Sequence, residues 1–305
     1  MQITVFGGSG FLGSHVCDKL DEAGHDVTIF DLRPSPWRLP GQKMICGDIL
    51  DEKAVGDAVT HADAVFNFAG LADIGEANGK PLATVTQNIH GNAIILEACR
   101  RQGVQRYVFA STVYVYSKSG GFYRCSKQAC ELYIEAFQEN YGLEYTILRY
   151  GSLYGPRADE RNAIYRFVRQ AMVENKISYF GSDEALREYI HVEDAAACSV
   201  EILKPEYANQ SIVLTGHQAM KVGNLFKMIA EVLGHDIEFE FEHNPSSAHY
   251  EVTPYSFNPK VGKKLTPPLH VDLGQGILRV VEELHNTVRP ELQSVHGVLV
   301  TKEKS

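Results

Sequence analysis

Three glycines constrain what this chain can fold into more than any other feature of its 305 residues. Gly7, Gly10 and Gly13 stand at even spacing in FGGSGFLGS, directly after Ile3–Phe6, a run that reads as a buried strand. An amphipathic helical pattern, Phe11–Ala23, opens inside the same motif. A chain that turns from strand to helix on glycine leaves its backbone N–H groups bare, and the helix N-terminus adds a favourable dipole. A pyrophosphate can then lie against the backbone. On this reading Gly7 takes the tight turn, Gly10 leaves room for the phosphates and Gly13 lets the helix pack on the strand.

The next strand sharpens the reading. Asp31 ends the predicted strand Val27–Phe30, about 20 residues beyond the glycines. A carboxylate there accepts hydrogen bonds from both hydroxyls of an adenosine ribose and repels a 2′-phosphate, which favours NAD over NADP. Arg33 is a second candidate on the cofactor side, because an arginine nearby can hold a phosphate.

The rest of the first half repeats the strand–helix rhythm. Strands are predicted at Met44–Cys46, Ala64–Phe66, Tyr107–Ala110 and Tyr145–Leu148, with helical patterns at Lys53–Val59, Val85–Arg101 and Ser126–Tyr141. This alternation predicts an α/β fold with a doubly wound parallel sheet. After Arg149 the rhythm loosens. Helices at Ala163–Glu174, Val192–Leu203, Val222–Leu233 and Gly274–Thr287 and strands at Ile177–Phe180, Ile212–Leu214 and Ile237–Phe241 predict a smaller, interleaved C-terminal part, with His243–Pro259 as a loop. The expected division is 1–152 plus about 185–210 for the dinucleotide, 153–184 and 211–290 for a substrate, and a polar tail at 291–305.

Composition narrows the partners. A net charge of −9 argues against nucleic acid and anionic membranes. No apolar run reaches the length of a membrane span, and the N-terminus reads as a core strand rather than a signal peptide, so a cytoplasmic protein is expected. The six cysteines form no C-x-x-C pair and read as buried free thiols. The 12 histidines show no metal-ligand spacing, and no metal is expected.

Tyr-x-x-x-Lys occurs twice, as Tyr114/Lys118 and Tyr123/Lys127. Tyr114 lies in VYVYS, an extended-looking run, where residues four apart do not share a face. Tyr123 opens YRCSKQACELYIEAF, a helical pattern in which an i, i+4 pair does meet. A nearby ammonium and a positive nicotinamide ring would favour the Tyr123 phenolate, making it a general base near neutral pH. Ser111 and Thr112 end the preceding strand, and the Thr112 hydroxyl can hydrogen-bond the reacting oxygen. The catalytic candidates are therefore Thr112, Tyr123 and Lys127, the last two also touching the cofactor and the first two the substrate.

These residues resemble the extended short-chain dehydrogenase/reductase family, and within it the nucleotide-sugar epimerases and dehydratases of the UDP-galactose 4-epimerase type. The resemblance implies a Rossmann fold. GGSGFLG resembles the family's cofactor loop, which adds Phe11 and Leu12 to the glycines, and Asp48–Ile49 in GDIL resembles its adenine contact. NFAGLADIGEANGKPL is similar to the segment lining the nicotinamide side, implying Phe68, Ala69 and Gly70 on the cofactor and Leu71 on the substrate. QNIHGNAIILEA resembles the helix that follows, and FASTVYVYS and YRCSK supply Thr112, Tyr123 and Lys127. LRYGSLYGPR and REYIHVED resemble hinge and substrate segments, implying Ser152 and Arg187 on the substrate, Arg187 as a diphosphate-binding arginine or else a surface ion pair.

Departures from the family pattern bear on the reaction. The 4,6-dehydratases carry Asp-Glu after the catalytic Thr, where this chain has Val113 and Tyr114. The cysteine of the 3,5-epimerase/reductases is absent at Val113. Ser152 stands where the epimerases carry Asn, and a late diphosphate arginine has no match in HNPSSAHYEV, leaving His243 or His249 as substitutes or the nucleotide held in another way. The resemblance implies an NAD-dependent nucleotide-sugar 4-epimerase working by transient C4 oxidation. The alternatives are a 4-dehydrogenase or 4-ketosugar reductase using the same site, and last an NAD-sensing binding protein. A homodimer is also implied, with Ile94, Ile95, Leu96, Leu132, Tyr133 and Ile134 apolar on more than one helix face.

Overall fold

A computed structural model describes residues 1–216 and 219–242. The expected helix Gly274–Thr287, the 291–305 tail, His243, His249 and the remainder of the 211–290 part lie outside the described residues.

The first half runs β1 (Gln2–Phe6), α1 (Phe11–Glu22), β2 (Asp26–Asp31), β3 (Lys43–Cys46), α2 (Glu52–Ala58) and β4 (Ala64–Asn67). It continues with α3 (Ile74–Gly79), α4 (Pro81–Thr84), a π-helical segment Val85–His90, α5 (Gly91–Gln102), β5 (Arg106–Thr112), a 3-10 turn Val113–Tyr116, α6 (Gly121–Tyr141) and β6 (Glu144–Tyr150). Then come β7 (Ser152–Tyr154), α7 (Ala163–Glu174), β8 (Lys176–Phe180), β9 (Leu186–His191) and α8 (Val192–Glu201). β10 (Gln210–Leu214), β11 (Ala219–Lys221), α9 (Val222–Leu233) and β12 (Glu238–Glu242) follow.

The main sheet has seven strands in the order β3-β2-β1-β4-β5-β6-β10. Every neighbour pair in it is parallel. Alternate residues of its strands feed two cores. Ile3, Val5, Ile29, Phe66, Val108 and Leu148 pack with Val16 and Leu20 of α1 and Ala195 and Ala196 of α8. Phe6, Phe30, Val65, Tyr107, Phe109 and Ile147 pack on the other face with Val55, Ile95, Leu96 and Ile134. A sheet buried on both faces needs helices on both, which is the doubly wound arrangement. The chain leaves β1 for β2 on one side and returns to β4 on the other, so the crevice of this fold lies beyond the C-terminal ends of β1 and β4.

Two smaller sheets, β11-β9-β7 and β12-β8, accompany a third core. Phe167 and Ala171 of α7 pack there with Val222, Leu225, Phe226 and Ile229 of α9 and Ile177 of β8.

Several expectations are corrected. VYVYS is not extended: β5 ends at Thr112, opposite Tyr150, the last residue of β6, so no ladder continues beyond it. Thr112 Oγ1 accepts from Tyr114 N at 3.3 Å and the chain winds into the 3-10 turn. The single predicted helix Val85–Arg101 is a π-helical segment followed by α5, and α6 starts at Gly121, not Ser126. The short elements α3, α4, β7 and β11 carry too few residues for a legible period, and β9, LREYIH, breaks apolar alternation at Arg187 and Glu188. Only Cys17, Cys99 and Cys130 are buried; Cys46, Cys125 and Cys198 are exposed, because they sit at an edge strand and on outward helix faces. Ile94, Ile95, Leu96 and Ile134 are buried by the chain's own core, so of the residues cited for a second copy only Leu132 and Tyr133 stay exposed.

Candidate active site

The glycine turn and the loop after β4 meet at the switch point. Gly7 has φ +75, and a Cβ on it would stand 2.7 Å from Ala69 N and from Phe68 C. Phe68, Ala69 and exposed Gly70 therefore begin against the turn. A Cβ on Gly13 would stand 2.2 Å from the Gly7 carbonyl oxygen, so the third glycine is what lets α1 sit on its own turn. Around Gly10 a Cβ would meet only that same oxygen, at 3.2 Å. Half-buried Phe11 and buried Leu12 form the first helical turn, Leu12 in the core.

No side chain caps the N-terminus of α1 and no acidic residue stands in its first turn, which leaves those N–H groups open to an anion. Asp31 braces the same loop: its Oδ2 accepts from Ser9 N at 3.0 Å and its Oδ1 from Arg33 N at 3.4 Å. The Arg33 side chain is exposed, and its carbonyl accepts from Ser9 Oγ at 2.9 Å. Ile49 is buried beneath Gly91, where a Cβ would come within 2.6 Å of Ile49 Cδ1, and Asp48 Oδ1 accepts from Leu50 N at 3.0 Å. These residues fit a dinucleotide: bare amides for a pyrophosphate, a carboxylate for a ribose, and a buried apolar floor.

Thr112, Tyr123 and Lys127 come together where β5 ends and α6 begins. Lys127 is buried, its Nζ donates to Ala110 O at 2.6 Å, and it lies 4.6 Å from the Phe109 ring centre and 5.9 Å from that of Tyr123. The Tyr123 ring meets the Tyr114 ring edge-on at 6.5 Å. Burial pushes the Tyr123 phenol up to about 12, and a hydrogen bond from Thr112 pulls it back. Thr112 Oγ1 also accepts from Tyr114 N, so one hydroxyl serves both the turn and the phenol. Burial lowers the Lys127 pKa, with Cys130 and Glu131 opposing. Desolvation thus opposes the phenolate that the sequence reading expects beside an ammonium and a nicotinamide.

Other expected residues lie nearby along the chain. Leu71 N donates to Asn88 Oδ1 at 2.7 Å. Half-buried Ser152 starts β7, two residues beyond the Tyr150 that pairs with Thr112. Arg187 in β9 is only 8% exposed. Its guanidinium donates to Leu186 O at 2.8 Å and Tyr179 Oη at 3.2 Å.

Two groups escaped sequence reasoning. Asn88, in the π-helical segment, accepts from Leu71 N and donates to Leu71 O at 3.1 Å and Ser126 Oγ at 2.9 Å, so it ties the segment after β4 to α6. Glu131 of α6 accepts from Ser111 Oγ at 2.5 Å and from Arg149 Nε and Nη2 at 3.0 and 2.7 Å. The available signal was a charge inside an apolar period, Glu131 beside Cys130 and Ile134, and Arg149 in YTILRY.

Fold and site together define a nicotinamide-dinucleotide enzyme of the doubly wound class. The model of the NAD dependent epimerase/dehydratase family matches residues 3–214, and the chain belongs to that family. It resembles the UDP-glucose 4-epimerase of Thermotoga maritima solved with UDP-glucose, at 26% identity and TM-score 0.77 over 84% of this chain and 90% of that one. It is similar to the Thermus thermophilus UDP-glucose 4-epimerase in complex with NAD, at 25% identity and TM-score 0.76 over 86% and 95%. It is also 25% identical to a dTDP-glucose 4,6-dehydratase of Mycolicibacterium smegmatis, over 92% of each chain.

Proposed function

We propose that this chain is a nucleotide-sugar 4-epimerase acting on a UDP-hexose-like substrate. The observation that carries the reading is the grouping of Thr112, Tyr123 and Lys127 with no Asp-Glu pair directly after Thr112: buried Val113 and half-buried Tyr114 follow it in the 3-10 turn. A dehydratase needs an acid and base there to remove water, and Val113 carries no titratable group. The UDP-glucose 4-epimerases among the similar structures support the same choice.

The residues that would hold NAD are the Gly7–Gly13 turn, Asp31, Asp48, Ile49, Phe68 to Gly70, Tyr123 and Lys127. Bound NAD supplies hydride acceptance and return at C4. Tyr123 takes the C4 hydroxyl proton and gives it back to the keto-sugar oxygen. Thr112 holds that oxygen by a hydrogen bond. Lys127 places an ammonium beside the phenol, a charge that favours the phenolate. Ser152 and Arg187 serve the substrate side.

Replacing Tyr123 by Phe is expected to lower kcat for UDP-glucose/UDP-galactose interconversion by about 10²–10⁴-fold. The NAD released by acid from the purified protein should stay the same. Interconversion at the wild-type rate by the variant would refute the role of Tyr123. Net NADH accumulation by the wild type, with freely exchanging cofactor, would move the reading to a one-way 4-dehydrogenase or ketosugar reductase.

A further inference from the structure

We infer that the buried Glu131–Arg149 pair is the positioning device of the site: it fixes the end of β5, the 3-10 turn and α6 in the one arrangement that brings Thr112 to Tyr123 and Lys127. The inference rests on the catalytic reading proposed above. Glu131 lies one helical turn beyond Lys127 and two beyond Tyr123, on the same side of α6. Its carboxylate receives Ser111, the residue before Thr112. Arg149 stands in register opposite Ser111 on β6 and grips both carboxylate oxygens. The third guanidinium nitrogen donates to Tyr116 Oη at 2.5 Å, and the group lies 4.8 Å over the Tyr116 ring. Tyr116 closes the same turn that presents Tyr114 to Tyr123.

One carboxylate and one guanidinium therefore reach both elements that carry Thr112, Tyr123 and Lys127 and the turn between them. Glu131 is 7% exposed and the Arg149 side chain 16%. A buried ion pair is weak evidence of stability, because an apolar pair of similar volume packs as well or better. A two-pronged guanidinium–carboxylate bond does fix angle and distance, which an apolar contact does not. Geometry, not stability, is what this pair supplies.

The test compares Glu131→Gln, Ser111→Ala and the charge-free double variant Glu131→Leu/Arg149→Met in the interconversion assay, with melting temperature and retained NAD measured on each. The double variant guards against a fold failure from one unpaired charge. It is expected to melt near the parent temperature and hold NAD, with kcat down about 10–100-fold and KM little changed. Ser111→Ala should lose less, about 3–10-fold, since it breaks one bond of the set. A folded double variant with wild-type kcat overturns the inference. If Tyr123→Phe in the same assay is also fully active, the catalytic reading beneath it falls instead. A double variant whose kcat falls only in proportion to lost folded protein likewise overturns it, since a structural role alone predicts that.

Discussion

Gly13 and Gly56 separate two uses of the same residue. At Gly13 an added methyl meets the Gly7 carbonyl oxygen at 2.2 Å and Gly8 Cα at 2.9 Å, all backbone that cannot rotate away. Gly56, inside α2, has nothing within 4 Å of such a methyl. Gly13→Ala should therefore push α1 off its turn, destabilise by about 1–3 kcal/mol and weaken NAD binding at least about tenfold. Gly56→Ala should stabilise by about 0.5–1 kcal/mol, the helix-propensity gain. Denaturant titration and NAD titration of both variants check this; equal effects would mean that the glycine turn is not the cofactor cradle. The glycines, Asp31 and the Thr112/Tyr123/Lys127 group were legible because each follows from a local pattern of strand, turn and helix. Glu131 and Arg149 were not legible as a pair, since only the packing of α6 against β5 and β6 brings the Glu131 carboxylate to the guanidinium.

At the scale of elements, Asn88 decides how α6 meets the segment after β4. The π-helical segment widens the helix so that Asn88 can turn its amide inward, where it is 4% exposed. Its three bonds satisfy Leu71 N, Leu71 O and Ser126 Oγ, and its carbonyl accepts from Cys130 Sγ at 3.2 Å. Asn88→Ala leaves a buried donor and acceptor unmet, and should cost about 1–3 kcal/mol. It should also release protection of the Leu71 amide in hydrogen exchange. Unchanged protection would show that another group holds the segment. The long helices and core strands were legible from period, with ends shifted by a few residues. VYVYS was misread for a physical reason: alternating Val and Tyr mimic a strand, but β6 offers no partner past Tyr150, so the Thr112 hydroxyl sets the turn.

At the scale of the whole molecule, the two-sided burial that alternation predicted has a consequence for pH. It places Cys17, Cys99, Cys130, Tyr107 and Tyr150 where ionisation is opposed by desolvation, as it is for Tyr123 at the end of the sheet. Burial raises all six, Cys130 to about 11 and Tyr123 to about 12. In the unfolded chain thiols ionise near about 8.5 and phenols near about 10. From about pH 8.5 upward the folded state thus binds more protons than the unfolded one, and unfolding becomes easier as pH rises. Each such group contributes a loss of about 1.4 kcal/mol per pH unit while only its unfolded form is ionised. Lys127 works the other way, since burial lowers its pKa and stability gains where the unfolded chain alone keeps the proton. The urea midpoint, measured with a reducing agent, should hold from pH 7 to 8 and then fall steadily to pH 10.5, ahead of any loss of native secondary structure without urea. The Cys99→Ala variant, though less stable at neutral pH, should show a shallower fall, because one of the protons that the folded state retains has been removed. A midpoint that stays level to pH 10.5 would mean that these thiols and phenols ionise within the folded protein, and that the two cores admit water.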